Sequence, residues 1–409
     1  MKILAYTSPA RGHLYPIVPI MLALAARGHE TKVCTLTAEL GHLAEVGIAG
    51  LPVAPAVERI RLEDWRKRSI ASASLSVLGT FAERSSTEVP DLASRIEELD
   101  PDILLVDIIC WGAAAVAEAS GRPWAMYSPF LLPLLSRTVP PLGLGWAPLG
   151  GVLGAARDGI AHVFASLTMD RVMMPPINRV RASQGLPALA HYGDVLLRPS
   201  LLLVLTDECF EYARGGWPAN VKLIGPIGWA PRPHESPTWL AEIGDPVVLV
   251  ACSSERQDDD ALVAAAFEAL PPAGMSVIAT TAAHDPRDFS VPPGSRAVRF
   301  LSHETVLKRA ACVVCHGGMG VTQKALAAGV PVVVVPFGRD QYDTGRRVEV
   351  ANAGVRLSRH RFTPTRLLAA VHSALELREG AQRMSRAYAA GGGPVAAAEA
   401  IEQVTTSLS

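Results

Sequence analysis

The sequence predicts an α/β protein made of two halves, each an open parallel sheet flanked by helices, facing each other across a cleft. Three observations point there. A strand, loop, helix and strand follow one another within about the first 35 residues, which is the βαβ unit of a parallel sheet. The same alternation stops at a Pro- and Gly-rich stretch, 214–245, and then restarts. The candidate strands after the restart are near-continuous valine runs, as expected of strands covered on both faces.

The first unit is "KILAYT" as strand, "SPARGHLYP" as loop, "IVPIMLALAARG" as a helix stopped at Gly28, and "TKVCTLT" as strand. "DILLV" before the helical "WGAAAVAEAS", then "WAMYS" and "LLLVL" at 201–205, continue the pattern. Two less regular stretches, 57–97 and 129–195, interrupt it; they read as a helical excursion with surface loops or as the lining of a pocket for a large apolar ligand. In the second half "PVVLVA", "MSVIAT", "AVRFL", "ACVVC" and "PVVVVP" alternate with helices expected from about 258, 320 and 341, with a further short helix after "AVRFL". The division expected is 1–215 and 246–390 as the two domains, 216–245 as their connector and 391–409 as a closing helix.

A chain of 409 residues, 49% hydrophobic and 19% charged, has the composition of a globular protein with large cores. The formal net charge of -1, from 38 basic and 39 acidic residues, gives no bulk attraction to nucleic acid or to an anionic membrane, so small molecules are the expected partners. Six cysteines, most of them in apolar runs, read as buried free thiols. With no signal-like N-terminus and no apolar run of membrane-spanning length, the expected location is cytoplasmic. A homodimer is left open by these totals.

"CVVCHGGMG", 312–320, has three readings: a haem-tethering C-x-x-C-H, a metal cluster, or a glycine turn. Side chains alternate along a strand, so Cys312 and Cys315 would point to opposite faces and could not grip one metal or one porphyrin. The turn fits the local grammar. A buried strand ends at Cys315, and His316-Gly317-Gly318-Met319-Gly320 leads into a helix whose free N–H groups attract anions.

"HGGMGVTQKALAAGVPVVVVPFGRDQ" resembles the donor-binding signature of the GT-B glycosyltransferases of plant and bacterial natural products. "SPARGHLYP" is similar to that family's N-terminal histidine loop and "LLVDIICWG" to its acidic loop, so the resemblance covers nearly the whole chain. It implies two Rossmann-like domains and transfer of a sugar, with inversion, from a UDP- or dTDP-linked donor to a bulky, largely apolar natural-product or lipid acceptor. It also implies that His316, Gly317, Gly318, Gly320, Thr322 and Ser254 hold the diphosphate. Phe300 and His303 would bracket the base, and Asp340 and Gln341 would bind sugar hydroxyls. No metal or cofactor is implied, fixed dipoles stabilising the leaving diphosphate instead. Two positions depart from the pattern. Lys324 stands where glutamate often holds the ribose, and an ammonium has no acceptor; Val321 replaces a threonine.

His13 follows the first strand and Asp107 follows "DILLV", and the carboxyl ends of parallel strands line the ligand crevice. Together with the matching loops, this makes His13 the expected general base and Asp107 its orienting partner. Trp65, Trp111, Phe130 and Trp146 are candidate acceptor contacts, with core packing as the alternative for each. "RQDDD", 256–260, resembles a metal-binding acid cluster but is more simply the acidic start of a helix. "RLEDWRKR", 61–68, reads as a solvated helix face. A nucleotide-sugar epimerase and a non-catalytic sugar-nucleotide binder are the competing functions. A nicotinamide oxidoreductase ranks low, because the first loop lacks G-x-G-x-x-G.

Overall fold

In the computed structural model the described residues are 1–67, 69–136, 138–231 and 237–406. Arg68 of the basic run, 232–236 of the connector and 407–409 of the closing helix lie outside them. The first sheet contains β1 (Lys2–Tyr6), β2 (Glu30–Thr35), β3 (Ala49–Pro52), β4 (Ile103–Asp107), β5 (Trp124–Ser128), β6 (Leu201–Val204) and β7 (Val221–Leu223), in the order 3-2-1-4-5-6-7. The second contains β8 (Val247–Ala251), β9 (Ser276–Thr280), β10 (Arg296–Val298), β11 (Ala310–Cys315), β12 (Val332–Val334) and β13 (Gly354–Arg356), in the order 10-9-8-11-12-13. Every pairing between these strands is parallel.

Alternation along the strands divides each core in two. Leu104 and Val106 of β4 join one cluster while Ile103 and Leu105 join the other. In β11, Cys312 and Val314 face one side and Val313 and Cys315 the opposite one. The two thiols of the C-x-x-C run are therefore separated by the sheet, as the period-2 argument requires.

The irregular stretches are helical. Ile70–Leu99 and Gly151–Ser183 run for 30 and 33 residues. Over its described residues, 61–67, the basic run is not a helix face: Asp64–Arg66 is a single 3-10 turn, and Asp64 is buried there because it faces a cation from the other half. Strand β7, inside the stretch expected to be connector, extends the first sheet. The chain ends on the helix Gly393–Thr406, whose Ala397, Ile401 and Val404 pack with Ile3 and Ile20 of the first half. Glu402 is held there by Arg27 at 2.7 Å and His29 at 2.7 Å. Among the described residues no helix is long and apolar enough to cross a membrane.

Two helices that cover the first sheet meet at Gly112, where a Cβ would lie 1.8 Å from the Ser85 carbonyl oxygen. The Gly112 amide donates to Glu88, a fully buried carboxylate paired with Arg84 at 2.9 Å. Gly112→Ala should force this crossing apart and lower stability by about 1–3 kcal/mol, read as a shift in the denaturant midpoint. An unchanged midpoint would mean that the crossing is not tight.

Candidate functional site

Both sheets reverse their strand order once, between β1 and β4 and between β8 and β11. Loops leaving such neighbouring strands diverge to opposite sides, and the gap between them is where open α/β sheets bind ligands. His13 lies just beyond β1, in the short helix Arg11–Leu14, and Asp107 is the last residue of β4. The reversal brings them together. His13 Nδ1 stands 2.8 Å from Asp107 Oδ2. That oxygen also accepts from the Ser8 amide at 3.0 Å and the Tyr127 hydroxyl at 3.3 Å, while Oδ1 accepts from the Ile109 amide at 3.2 Å.

Asp107 is fully buried. Burial alone would raise its pKa, but His13 and the amides of Ser8 and Ile109 outweigh it and hold the carboxyl below its ordinary value. With Nδ1 donating to this anion, the neutral ring keeps its lone pair on Nε2. The imidazole is partly exposed, with 18% of its side chain accessible, and Phe130 packs edge-on at 5.8 Å. An imidazole held in this way can take a proton and have the resulting charge stabilised by the carboxylate.

In the second half β11 runs into the turn and the helix Met319–Ala327. Gly317 has φ 96°, a conformation side chains avoid, and a Cβ there would also lie 2.7 Å from Val334. At Gly318 a Cβ would come within 2.5 Å of His316 Nε2, so the ring lies directly against the turn. His316 is buried with Nδ1 unpartnered, 3.7 Å from Asp259. Burial lowers its pKa, more than nearby Asp259 raises it. Asp259 also accepts from the Ser253 amide and lies 3.0 Å from His284. "RQDDD" thus contributes a buried organiser of the turn as well as a helix start.

The halves meet through charge. Arg339, at φ 56°, donates two bonds to Asp64, at 2.9 and 2.8 Å. Asp343 accepts from the amides of Gly143 and Gly145 at 2.7 and 3.3 Å, and burial pushes its pKa up to about 6. Gln323 donates to the Leu205 carbonyl at 3.0 Å. Within the cleft Glu255 is raised by burial, opposed by Arg339, Arg11 and His13; Asp340 is raised by burial and opposed by Arg339 and His13. His13 of one half and Glu255, Arg339 and Asp340 of the other therefore share one electrostatic environment. Glu255 and Arg339 were not singled out from the sequence, and Asp64 and Asp259 lay in runs read there as a solvated helix face and as the acidic start of a helix.

Other expected residues are placed unevenly. Thr322 is fully buried and its hydroxyl meets Cys315 at 3.7 Å, so that hydroxyl is turned from the turn's open side into the core. Gln341 accepts from the amides of Phe337 and Gly338 at 2.7 and 3.0 Å and donates to Gln257, which occupies its side chain within the protein. Ser254 and Phe300 are exposed. Trp111 is 3% exposed and stacks edge-on with Phe81 in the core, so it is removed from the cleft. Trp65 carries Arg256 of the other half over its ring at 4.9 Å, and Trp146 carries Arg157 at 5.0 Å.

Lys324 donates to the Trp229 carbonyl at 2.9 Å, and burial lowers its pKa against the nearby Glu304. Both line a cavity of about 570 Å³ with Gly228, Gly320 and Gln323, between the connector and the helix that follows the turn. Among the described residues Cys252, Asp259 and His284 bring ligand atoms within 4.8 Å of one another. There the Asp259 carboxylate already holds His284 and the Ser253 amide, and burial pushes the Cys252 thiol far up, which opposes metal ligation.

The chain is 31% identical over 421 residues to 4'-demethylrebeccamycin synthase of Lentzea aerocolonigenes, covering 98% of this chain and 99% of that protein. It belongs to the natural-product glycosyltransferases. Residues 269–404 of this glycosyltransferase match the C-terminal domain of erythromycin biosynthesis protein CIII-like proteins. Its fold is that of GT-B enzymes. The structure of the kitacinnamycin glycosyltransferase aligns with a TM-score of 0.73 at 23% identity, covering 98% of both chains. That of VinC in complex with dTDP aligns with a TM-score of 0.70 at 21% identity, covering 100% of both.

His303 offers a test of the second half of the glycosyltransferase. Its Nε2 lies 3.0 Å from Thr280 Oγ1, and burial, with Lys324 and His316 nearby, lowers its pKa to about 3. The unfolded chain takes up this proton below about pH 6.5 and the folded one does not until near pH 3, so stability is lost as pH falls through that window. His303→Gln should reduce the stability lost between pH 7 and pH 5 by on the order of 1–2 kcal/mol, measured by denaturant unfolding at both pH values.

Proposed function

We propose that this glycosyltransferase moves a sugar from a nucleoside-diphosphate donor to a hydroxyl of a bulky, largely apolar acceptor by direct displacement with inversion. The observation that carries this reading is the His13–Asp107 pair at the strand reversal of the first sheet, with Glu255 and Asp340 of the second half near the imidazole. His13 Nε2 takes the acceptor proton as its oxygen attacks the anomeric carbon, and Asp107 stabilises the imidazolium that forms. The bond from the anomeric carbon to the diphosphate breaks at the same time. The departing charge is received by the backbone of 317–320 and the start of the following helix, with His316 against it.

In this reading no divalent metal takes part. The nucleoside lies in the cavity beside Lys324, where Glu304 supplies the carboxylate acceptor that position 324 lacks. Two solved structures of similar fold, VinC and SsfS6, hold dTDP, which favours a thymidine donor over a uridine one. Phe130, edge-on to His13 and within reach of both halves' cores, is the aromatic best placed to meet the acceptor.

His13→Ala and Asp107→Asn should each lower kcat by about 10²–10⁴-fold with little change in donor KM, measured with a dTDP-sugar and a panel of apolar phenolic or polyketide acceptors. Full activity in His13→Ala would refute the assignment of the base. Retention of the donor's anomeric configuration, read by NMR of the product, would refute direct displacement.

A further inference from the structure

The helix Gly151–Ser183 carries a surface that the single chain leaves uncovered. Over 151–168 it buries only Gly154 and Asp158. Val152, Leu153, Ile160, Val163, Phe164 and Leu167 are all exposed, from 62% at Val163 to 86% at Val152. The remaining exposed positions between them are Ala155, Ala156 and Gly159. The helix's own charges do not interrupt this face: Arg157 turns back onto Asp158 at 2.7 Å and the Ala147 carbonyl at 2.9 Å, and Asp158 is itself buried.

These six side chains expose on the order of 800–900 Å² of apolar surface, more than a monomer's surface usually concentrates in one patch and about what each partner contributes to a standard interface. Gly159 is unexplained within one chain. It sits in mid-helix, where glycine costs about 1 kcal/mol relative to alanine, yet a Cβ there would meet nothing within 4 Å. A glycine on an exposed helix face with no intramolecular neighbour is accounted for by another backbone approaching it.

We propose that this face is the interface of a homodimer, formed by the helix packing antiparallel against its own copy. A twofold axis between Gly159 and Ile160 sets Gly159 opposite Ile160, Ala156 opposite Val163, Ala155 opposite Phe164 and Val152 opposite Leu167. Small residues then meet large ones through the centre, the self-complementarity that an isologous contact needs. Between Val152 and Leu167 the exposed positions include no lysine or arginine of the kind that draws a helix to an anionic lipid surface. With a net charge of -1, two copies repel each other little.

The test is sedimentation equilibrium of the full chain across about 0.1–100 µM. Wild type should weigh twice the chain mass, and Ile160→Asp and Phe164→Asp should weaken association by at least about 100-fold, with circular dichroism melts confirming that both variants stay folded. Ile160→Cys, beside the axis, should form an intermolecular disulfide on mild oxidation, whereas Arg171→Cys, about 17 Å along the helix from the axis, should not. A wild-type monomer at every concentration overturns the proposal, as does a dimer indifferent to Ile160→Asp. Flotation of a monomer with phosphatidylcholine–phosphatidylglycerol vesicles would equally overturn it, assigning the face to lipid.

Discussion

A carboxylate taken wholly out of water must be compensated, and the compensation of Asp107 organises the first half of this glycosyltransferase. One of its oxygens takes the Ser8 amide, the Tyr127 hydroxyl and His13, and the other takes the Ile109 amide. Those donors come from the loops after β1 and β4 and from β5, so three neighbouring parallel strands have to stay in register for the charge to be tolerated. The imidazole is the only one of these partners that also reaches a partly exposed position. A requirement of burial thus becomes a fixed ring orientation at the edge of the cleft.

Asp259 has the corresponding place in the second half. It is fully buried, it binds the amide just after β8, and it stands beside the histidine just after β11. The strand-order reversals of the two sheets are therefore each bridged by a buried acid next to a histidine. The arrangement differs in what the histidine is free to do. His13 is hydrogen-bonded and partly open, whereas His316 is buried against Gly318 with its Nδ1 unpartnered. The first geometry suits proton exchange and the second suits a fixed wall beside an anion.

Strands in the middle of both sheets were legible because their side chains are buried on both faces and the sequence shows apolar runs. The strands that were not read, β3, β7 and β13, all lie at sheet edges and are three or four residues long, too short for periodicity to register. The helix Gly151–Ser183 was hidden for a different reason: apolar residues occupy its outer face as well as its inner one, so no amphipathic contrast marks it. His13, Asp107 and the glycine turn could be found because each is local to a strand end. Arg339 with Asp64, which lie 275 residues apart, and Glu255 could not, since their significance arises only when the halves face each other. Thr322 and Trp111 show the converse, residue types suited to a site that the local packing directs into the core.

The last helix returns to the first half, where Glu402 is tied to Arg27 and His29 and the Gly393 amide donates to the Ile224 carbonyl. The polypeptide therefore passes between the lobes twice. Recombining lobes from two related enzymes requires two splice points, one in the connector and one close to 391–393, so that the terminal segment travels with the lobe it packs on. A chimera joined at the connector alone would carry a foreign segment against the Ile3 and Ile20 surface and strand its native counterpart.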